Sequence, residues 1–356
     1  MSKLFSEFKI RDTKFRNRLW VSPMCQYSSE DGLPTDWHLL HLGSRAVGGA
    51  GAVIVEATAV SPEARISPSD SGIWSDRHAE EFLRITRFIK GQGSVPGIQL
   101  AHAGRKASTA TPWNGGKKVE IADGGWNVVA PSAIAFADGY PMPLEMGTAD
   151  IEKVRNDFVA AAIRSVNAGF KVIELHAAHG YLLHEFLSPL SNERSDEYGG
   201  DRAGRMKFPL EIARAVREAV PENVPIFTRI SATDWAEGGW DLGDSIEFAK
   251  RLKAIGIDLI DCSSGGLVSY AQIPVEPNYQ VPFAEVIRRE AGIATSAVGL
   301  ITEPHQAEAI LQAGQADAVM IARQFLREPY LPFRFAKELG VSIDVPNQYG
   351  RAIDLR

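Results

Sequence analysis

Eight short runs rich in β-branched and other apolar residues recur along this chain, each followed by a stretch with helical apolar spacing, and this rhythm limits the fold more than any other feature. The runs are Arg18–Ser22, Ala52–Glu56, Gly97–Leu100, Val172–His176, Ile226–Ser231, Leu259–Cys262, Thr295–Val298 and Ala318–Ile321. The helical stretches are Thr35–Val47, Ala79–Lys90, Ile151–Ala168, Gly204–Val220, Gly243–Ile255, Pro282–Ala291, Pro304–Gln312 and Pro329–Glu338. Strands that alternate with helices pair in parallel, since each helix carries the chain back to the same end of the sheet. Eight such units predict an α/β fold of the closed kind, a (β/α)8 or TIM barrel, in preference to an open doubly wound sheet. With 356 residues the chain is expected to form a single domain over 1–356.

Two interruptions and a tail depart from the rhythm. A Gly-, Pro- and Trp-rich excursion over 105–146 separates the third strand from its helix. Its composition predicts a lid or subdomain over the barrel mouth with no core of its own. A second insertion, Gly265–Val281, follows the sixth strand, and the C-terminal tail covers 340–356.

Barrels of this kind carry their chemistry where strands end and loops begin. Pro23-Met24-Cys25-Gln26-Tyr27 follows strand one, Glu56-Ala57 closes strand two, and Gln99-Leu100-Ala101-His102 closes strand three. Strand four ends in His176, with His179 and Tyr181 just beyond, and Arg229 lies within strand five. Two imidazole N–H groups that converge on one point can hold a carbonyl oxygen as negative charge builds on it. A nearby phenol is a neutral proton donor. From these residues alone, a zinc-ligand pair or hydrogen-bonded core histidines remain open. Gly299 after strand seven and Ala322-Arg323 after strand eight suit a phosphate, because backbone amides there and a guanidinium fork are anion donors.

A net charge of −6 without a lysine- or arginine-rich run predicts no nucleic-acid partner. No apolar stretch reaches membrane-spanning length and the first residues lack an apolar signal core, so a cytoplasmic protein without membrane attachment is expected. The two cysteines, Cys25 and Cys262, exclude a disulfide framework. No G-x-G-x-x-G follows a strand, which argues against a separate dinucleotide-binding domain.

Together the motifs Ser22 through Tyr27, Ala101 through Lys106, Glu174 through Tyr181 and Phe186 through Gly200 resemble the Old Yellow Enzyme family of FMN-dependent ene-reductases. The Cys25 motif is similar to that of the xenobiotic-reductase, thermophilic-like branch. The resemblance runs from about Asn17 to Arg351 and implies non-covalent FMN across the barrel mouth, with NADPH or NADH as hydride donor. It implies backbone contacts to the flavin ring around Pro23, Met24 and Ala57, Cys25 near the reactive edge, and Gln99 at the pyrimidine side. Arg229 would stand by the ring end that becomes anionic on reduction, and Gly299, Ala322 and Arg323 would take the phosphate. His176 and His179 would grip the substrate oxygen, His176 also lying beside the flavin. Tyr181 would donate the proton, and Tyr27 would line the pocket. The implied substrates are small enones, maleimides, quinones or nitro compounds, reduced by hydride transfer to the β-carbon and protonation at the α-carbon. The family also implies a homodimer or homotetramer in which Arg351 reaches the neighbouring site.

The main rival is a metal-dependent barrel hydrolase using the histidine pair as ligands. His38 and His41 have ligand-like spacing too, but they sit on an expected helix and no H-E-x-x-H occurs. Asp234 and Glu237 could serve glycosidase chemistry, although no acid closes strand seven. A binding scaffold without catalysis is a third reading, disfavoured by the crowding of reactive side chains on one rim.

Overall fold

The computed structural model describes residues 2–353. Eight strands close into one parallel barrel: β3 (Leu19–Val21), β4 (Ala52–Ala59), β5 (Val95–Ala101), β8 (Val172–Ala177), β9 (Ile226–Ser231), β10 (Leu259–Ser263), β11 (Ala294–Ala297) and β12 (Ala318–Ile321), with β12 pairing back onto β3. These are the eight expected strands. Two match residue for residue, and β4 runs on three residues past the expected Glu56. That extension follows a register irregularity between Val55 and Ala57, where Glu56 has no partner across the β4–β5 ladder. An alternation rule cannot foresee a bulge, because the apolar pattern continues through it.

Helices α1 (Asp36–Val47), α2 (Asp76–Gly91), α3 (Thr148–Asn167), α5 (Arg202–Ala219), α6 (Leu242–Ile255), α7 (Val281–Ala291), α8 (Pro304–Gln312) and α10 (Leu331–Glu338) surround the barrel. Their inward faces and the outward faces of the strands form the main core, with Phe82, Phe158, Phe208 and Phe248 fully buried between the layers. Two short helices lay below the reach of periodicity, α4 (Leu182–Leu187) and α9 (Arg323–Arg327).

An antiparallel hairpin, β1 (Phe8–Ile10) and β2 (Thr13–Phe15), precedes the barrel and was also not expected, since three-residue strands carry almost no pattern. It caps the N-terminal end. Phe15 and Phe8 pack on Trp20, and Trp20 stacks on Phe227 at 5.8 Å with 9° between planes. Ile54, Val172 and Met320 complete this second cluster. Among the described residues, this cluster fills the N-terminal end of the barrel.

The 105–146 excursion holds a two-stranded sheet, β6 (Val129–Ala130) with β7 (Leu144–Glu145). Its buried Val128 joins Ala103 and Ala107, and Trp126 and Tyr181 pack against them, so its apolar contacts are shared with the barrel mouth. No described helix is long and apolar enough to cross a membrane.

Candidate active site

The turn after β8 brings the three signal residues together. His179 adopts φ +59 and Gly180 φ +70, a reversal that only a residue without Cβ permits at 180, because a Cβ there would meet Gly266 O at 2.3 Å. His176 and His179 stand edge to face with ring centroids 5.2 Å apart, and Tyr181 lies 4.9 Å from His176. The turn is pinned from behind. His184 Nδ1 accepts from Gly180 N at 2.9 Å, while its Nε2 lies 2.8 Å from buried Asp234. Lys106 Nζ donates to the carbonyls of His179 (2.8 Å) and Gly266.

Both imidazoles are neutral near pH 7. Burial and the Arg229 guanidinium hold each well below the ordinary histidine value. His179 Nε2 is 2.7 Å from Ser263 Oγ, whereas buried His176 Nδ1 has no hydrogen-bond partner. Burial, followed by the proximity of Cys25 and Tyr27, keeps the Tyr181 phenol protonated far above pH 10. The arrangement can therefore offer neutral N–H groups and a neutral O–H.

Past β3 the chain runs through Pro23, Met24, Cys25 and Tyr27, all half-buried. Glu56, freed from the ladder by the bulge, accepts from Gln26 N and lies 2.9 Å from His38 Nε2. His38 Nδ1 accepts from Thr35 N, so Nε2 carries the ring proton and donates to Glu56. Burial, then Glu56 and Asp70, push the Cys25 thiol well up, so it is not a thiolate at neutral pH. Tyr27 meets Trp113 of the excursion edge to face at 5.7 Å.

Polar residues of neighbouring strands meet inside the barrel. Gln99 Nε2 donates to Glu174 at 2.7 Å, Arg229 Nη1 donates to Ser22 Oγ at 3.0 Å, and Arg229 Nε lies 3.1 Å from Asp261. Arg229 also borders a cavity of about 250 Å³ between β10, β11 and β12, lined by Ser263, Gln280, Gly299, Ala322 and Arg323 among others. Gly299 has φ +120, and a Cβ there would meet Gln280 Nε2 at 2.7 Å. Gln280 is held by bonds to Val298 O and Ser264 Oγ. Ala57 is buried on β4, next to Gln99 in the β4–β5 ladder.

All the expected site residues but one thus gather at the C-terminal mouth. The exception is Arg351, exposed on a tail whose Tyr349 bonds to Tyr330. Sequence reasoning gave no role to Lys106, Ser263, His184 or Gln280. The first three lie in or beside motifs that carried the resemblance or closed a strand, but Gln280 had no signal at all. The rival chemistries are not favoured. Asp234 is fully buried against His184, Ser188 and Trp240, which hold its carboxyl low despite burial. Among the described residues no group of three or more His, Cys, Asp or Glu side chains is placed to hold a metal. His41 is buried, and burial together with Arg45 lowers it to about 3.

Residues 3–341 match the model of the NADH:flavin oxidoreductase / NADH oxidase family. The chain is 50% identical over 354 residues to an NADPH dehydrogenase of Listeria monocytogenes, covering 99% of each. An old yellow enzyme homologue from Zymomonas mobilis superposes with TM-score 0.80 at 26% identity, over 98% of this chain and 96% of that one. A 2-naphthoyl-CoA reductase superposes with TM-score 0.85 at 25% identity over 94% of this chain, which spans 52% of that longer protein.

Proposed function

The chain belongs to the NADH:flavin oxidoreductase / NADH oxidase family, that of the Old Yellow Enzymes, and on that premise we propose that this FMN-dependent NADPH oxidoreductase reduces activated C=C bonds of small α,β-unsaturated carbonyl and nitro compounds. The observation that carries the reading is the convergence of neutral His176, neutral His179 and protonated Tyr181 at the barrel mouth.

The residues present fit FMN. The cavity beside Gly299, Ala322 and Arg323 supplies guanidinium and backbone donors for a phosphate, and the close approach at Gly299 tolerates no Cβ. Arg229 and Gln99 would meet the ring from the barrel interior, and the Pro23–Cys25 loop and Ala57 from its edge. Bound FMN supplies the redox chemistry, taking two electrons from the nicotinamide and passing them to the alkene.

Every other part belongs to side chains. His176 and His179 would donate to the substrate's carbonyl or nitro oxygen, and as neutral imidazoles they stabilise developing charge without surrendering a proton. Tyr181 would deliver the proton to the α-carbon. Tyr27, against Trp113, would close one wall. Cys25, a neutral thiol, would tune the cofactor without acting as a nucleophile. The Cys25 motif supports the xenobiotic-reductase, thermophilic-like branch, and the 105–146 excursion would serve as the lid. The metal-dependent hydrolase is not favoured.

Colour is the first test. The purified protein should be yellow, release FMN on denaturation, bleach anaerobically with NADPH and regain colour with an enone. A colourless protein, or a bleached one that no enone or nitroalkene reoxidises, would sink the reading.

A further inference from the structure

Glu174 belongs to the most informative motif of the chain but has no part in the scheme above. It sits on β8 inside the barrel, fully buried. One carboxyl oxygen accepts from Gln99 Nε2 at 2.7 Å, and the other, Oε2, is sealed from solvent without a hydrogen-bond partner. Two charged groups face it, Arg229 from β9 and Asp261 from β10; β5 contributes neutral Gln99, and its own strand contributes neutral His176. One guanidinium thus serves two buried carboxyls. Asp261 has the stronger claim, with Arg229 Nε 3.1 Å away and Ser296 Oγ donating at 2.8 Å. Glu174 has neither a hydroxyl donor nor an ion pair with the guanidinium. Burial, then the charge of Asp261, raise its carboxyl to about 8 against the pull of Arg229 and Gln99.

We propose that Glu174 is a positioning residue of the flavin site: held as a neutral acid, it fixes the Gln99 amide and leaves the charge of Arg229 facing one counter-ion instead of two. The inference rests on the FMN reading above. A carboxyl oxygen that accepts from Gln99 Nε2 turns the amide so that its carbonyl oxygen points elsewhere, free to accept from an imide N–H, the donor a flavin pyrimidine carries. Neutrality matters for charge. Two ionised carboxylates around Arg229 would leave this cluster with a net −1, and a more anionic reduced cofactor would lose its stabilisation.

The sign follows from the raised value. The proton is held below about pH 8 and lost above it, so the reduced state, which favours a protonated Glu174, binds one more proton than the oxidised state in the window above. The midpoint potential of the holoenzyme should then fall more steeply there, by ~30 mV per pH unit beyond its slope at lower pH, the equivalent of a tenfold change for a two-electron couple. E174Q keeps the shape without the proton. It should match the wild-type potential at pH 7 within a twofold ratio of oxidised and reduced FMN affinities, and lack the extra slope.

Infrared spectra of the holoenzyme labelled with carbon-13 glutamate should contain a protonated carboxyl band that titrates above pH 7 and is missing in E174Q. Glu185, also raised to about 8 by burial, is separated by E185Q, which should keep that band and the extra slope. An E174Q potential well above wild type at pH 7, with the wild-type pH slope retained, would mean an ionised Glu174 and overturn the proposal. If E174Q cannot hold FMN, the wild-type slope and labelled band decide, and absence of both overturns it equally. A colourless wild-type protein would instead defeat the FMN reading itself.

Discussion

In the proposed reaction Tyr181 and the two histidines would make separable contributions. Reduction of the cofactor by NADPH needs no phenolic proton, whereas alkene reduction does. Tyr181→Phe should therefore leave the first half-reaction near wild type and slow the second by ~10²–10⁴, with a smaller loss for nitroalkenes, whose nitronate can leave and protonate in water. Stopped-flow traces of each half check this, and equal slowing of both would reduce Tyr181 to a pocket wall. Replacing His176 or His179 by Ala should cost ~10²–10³ in alkene reduction with FMN content unchanged; absorbance at the flavin maximum separates lost donors from a collapsed site. Cys25→Ser should stay yellow and active with a shifted potential, as expected of a thiol that burial and Glu56 keep neutral. Alkylation of Cys25 in the native protein should be slow at neutral pH and keep accelerating beyond the range where an ordinary cysteine levels off, in step with thiolate formation. These residues were legible because reactive types were crowded at strand ends. Lys106 and Ser263 escaped because their work on His179 is made by folding: Ser263 comes from a strand 84 positions away.

At the scale of elements, regular strands and helices were readable and irregular ones were not. The apolar runs located all eight barrel strands, yet neither the bulge at Glu56 nor the β1–β2 hairpin leaves a periodic trace. The bulge has consequences for the site, since it turns Glu56 toward Gln26 N and the Cys25 loop. Gly299 illustrates the opposite case, a loop position singled out by its place after strand seven and set by the fold beside the cavity. Gly299→Ala combines a φ of +120 with a 2.7 Å approach to Gln280, so strain of ~1–3 kcal/mol should weaken FMN binding roughly fivefold or more. Far-ultraviolet circular dichroism should be unchanged, and a variant that keeps wild-type FMN affinity would show that the loop yields freely.

For the whole molecule, fold class followed from the eightfold rhythm, but assembly did not. Arg351 is exposed on the tail and does not line the cavity near Gly299, so the proposal that it completes a partner subunit's pocket depends on association. Arg351→Ala should then raise KM more than it lowers Tm, and mixing it with a His176→Ala variant should restore part of the activity. A monomeric, fully active protein by sedimentation would exclude that arrangement.

The aromatic plug of Phe8, Phe15, Trp20 and Phe227 has a bearing on traffic as well as stability. A vessel stoppered at its base would be served from its mouth, and in the proposed reaction donor and acceptor would take turns there. Initial-rate plots should give parallel lines, and an excess of alkene should inhibit by occupying the place NADPH needs. Throughput would then be limited by departures as much as by arrivals, whatever the speed of the chemistry inside.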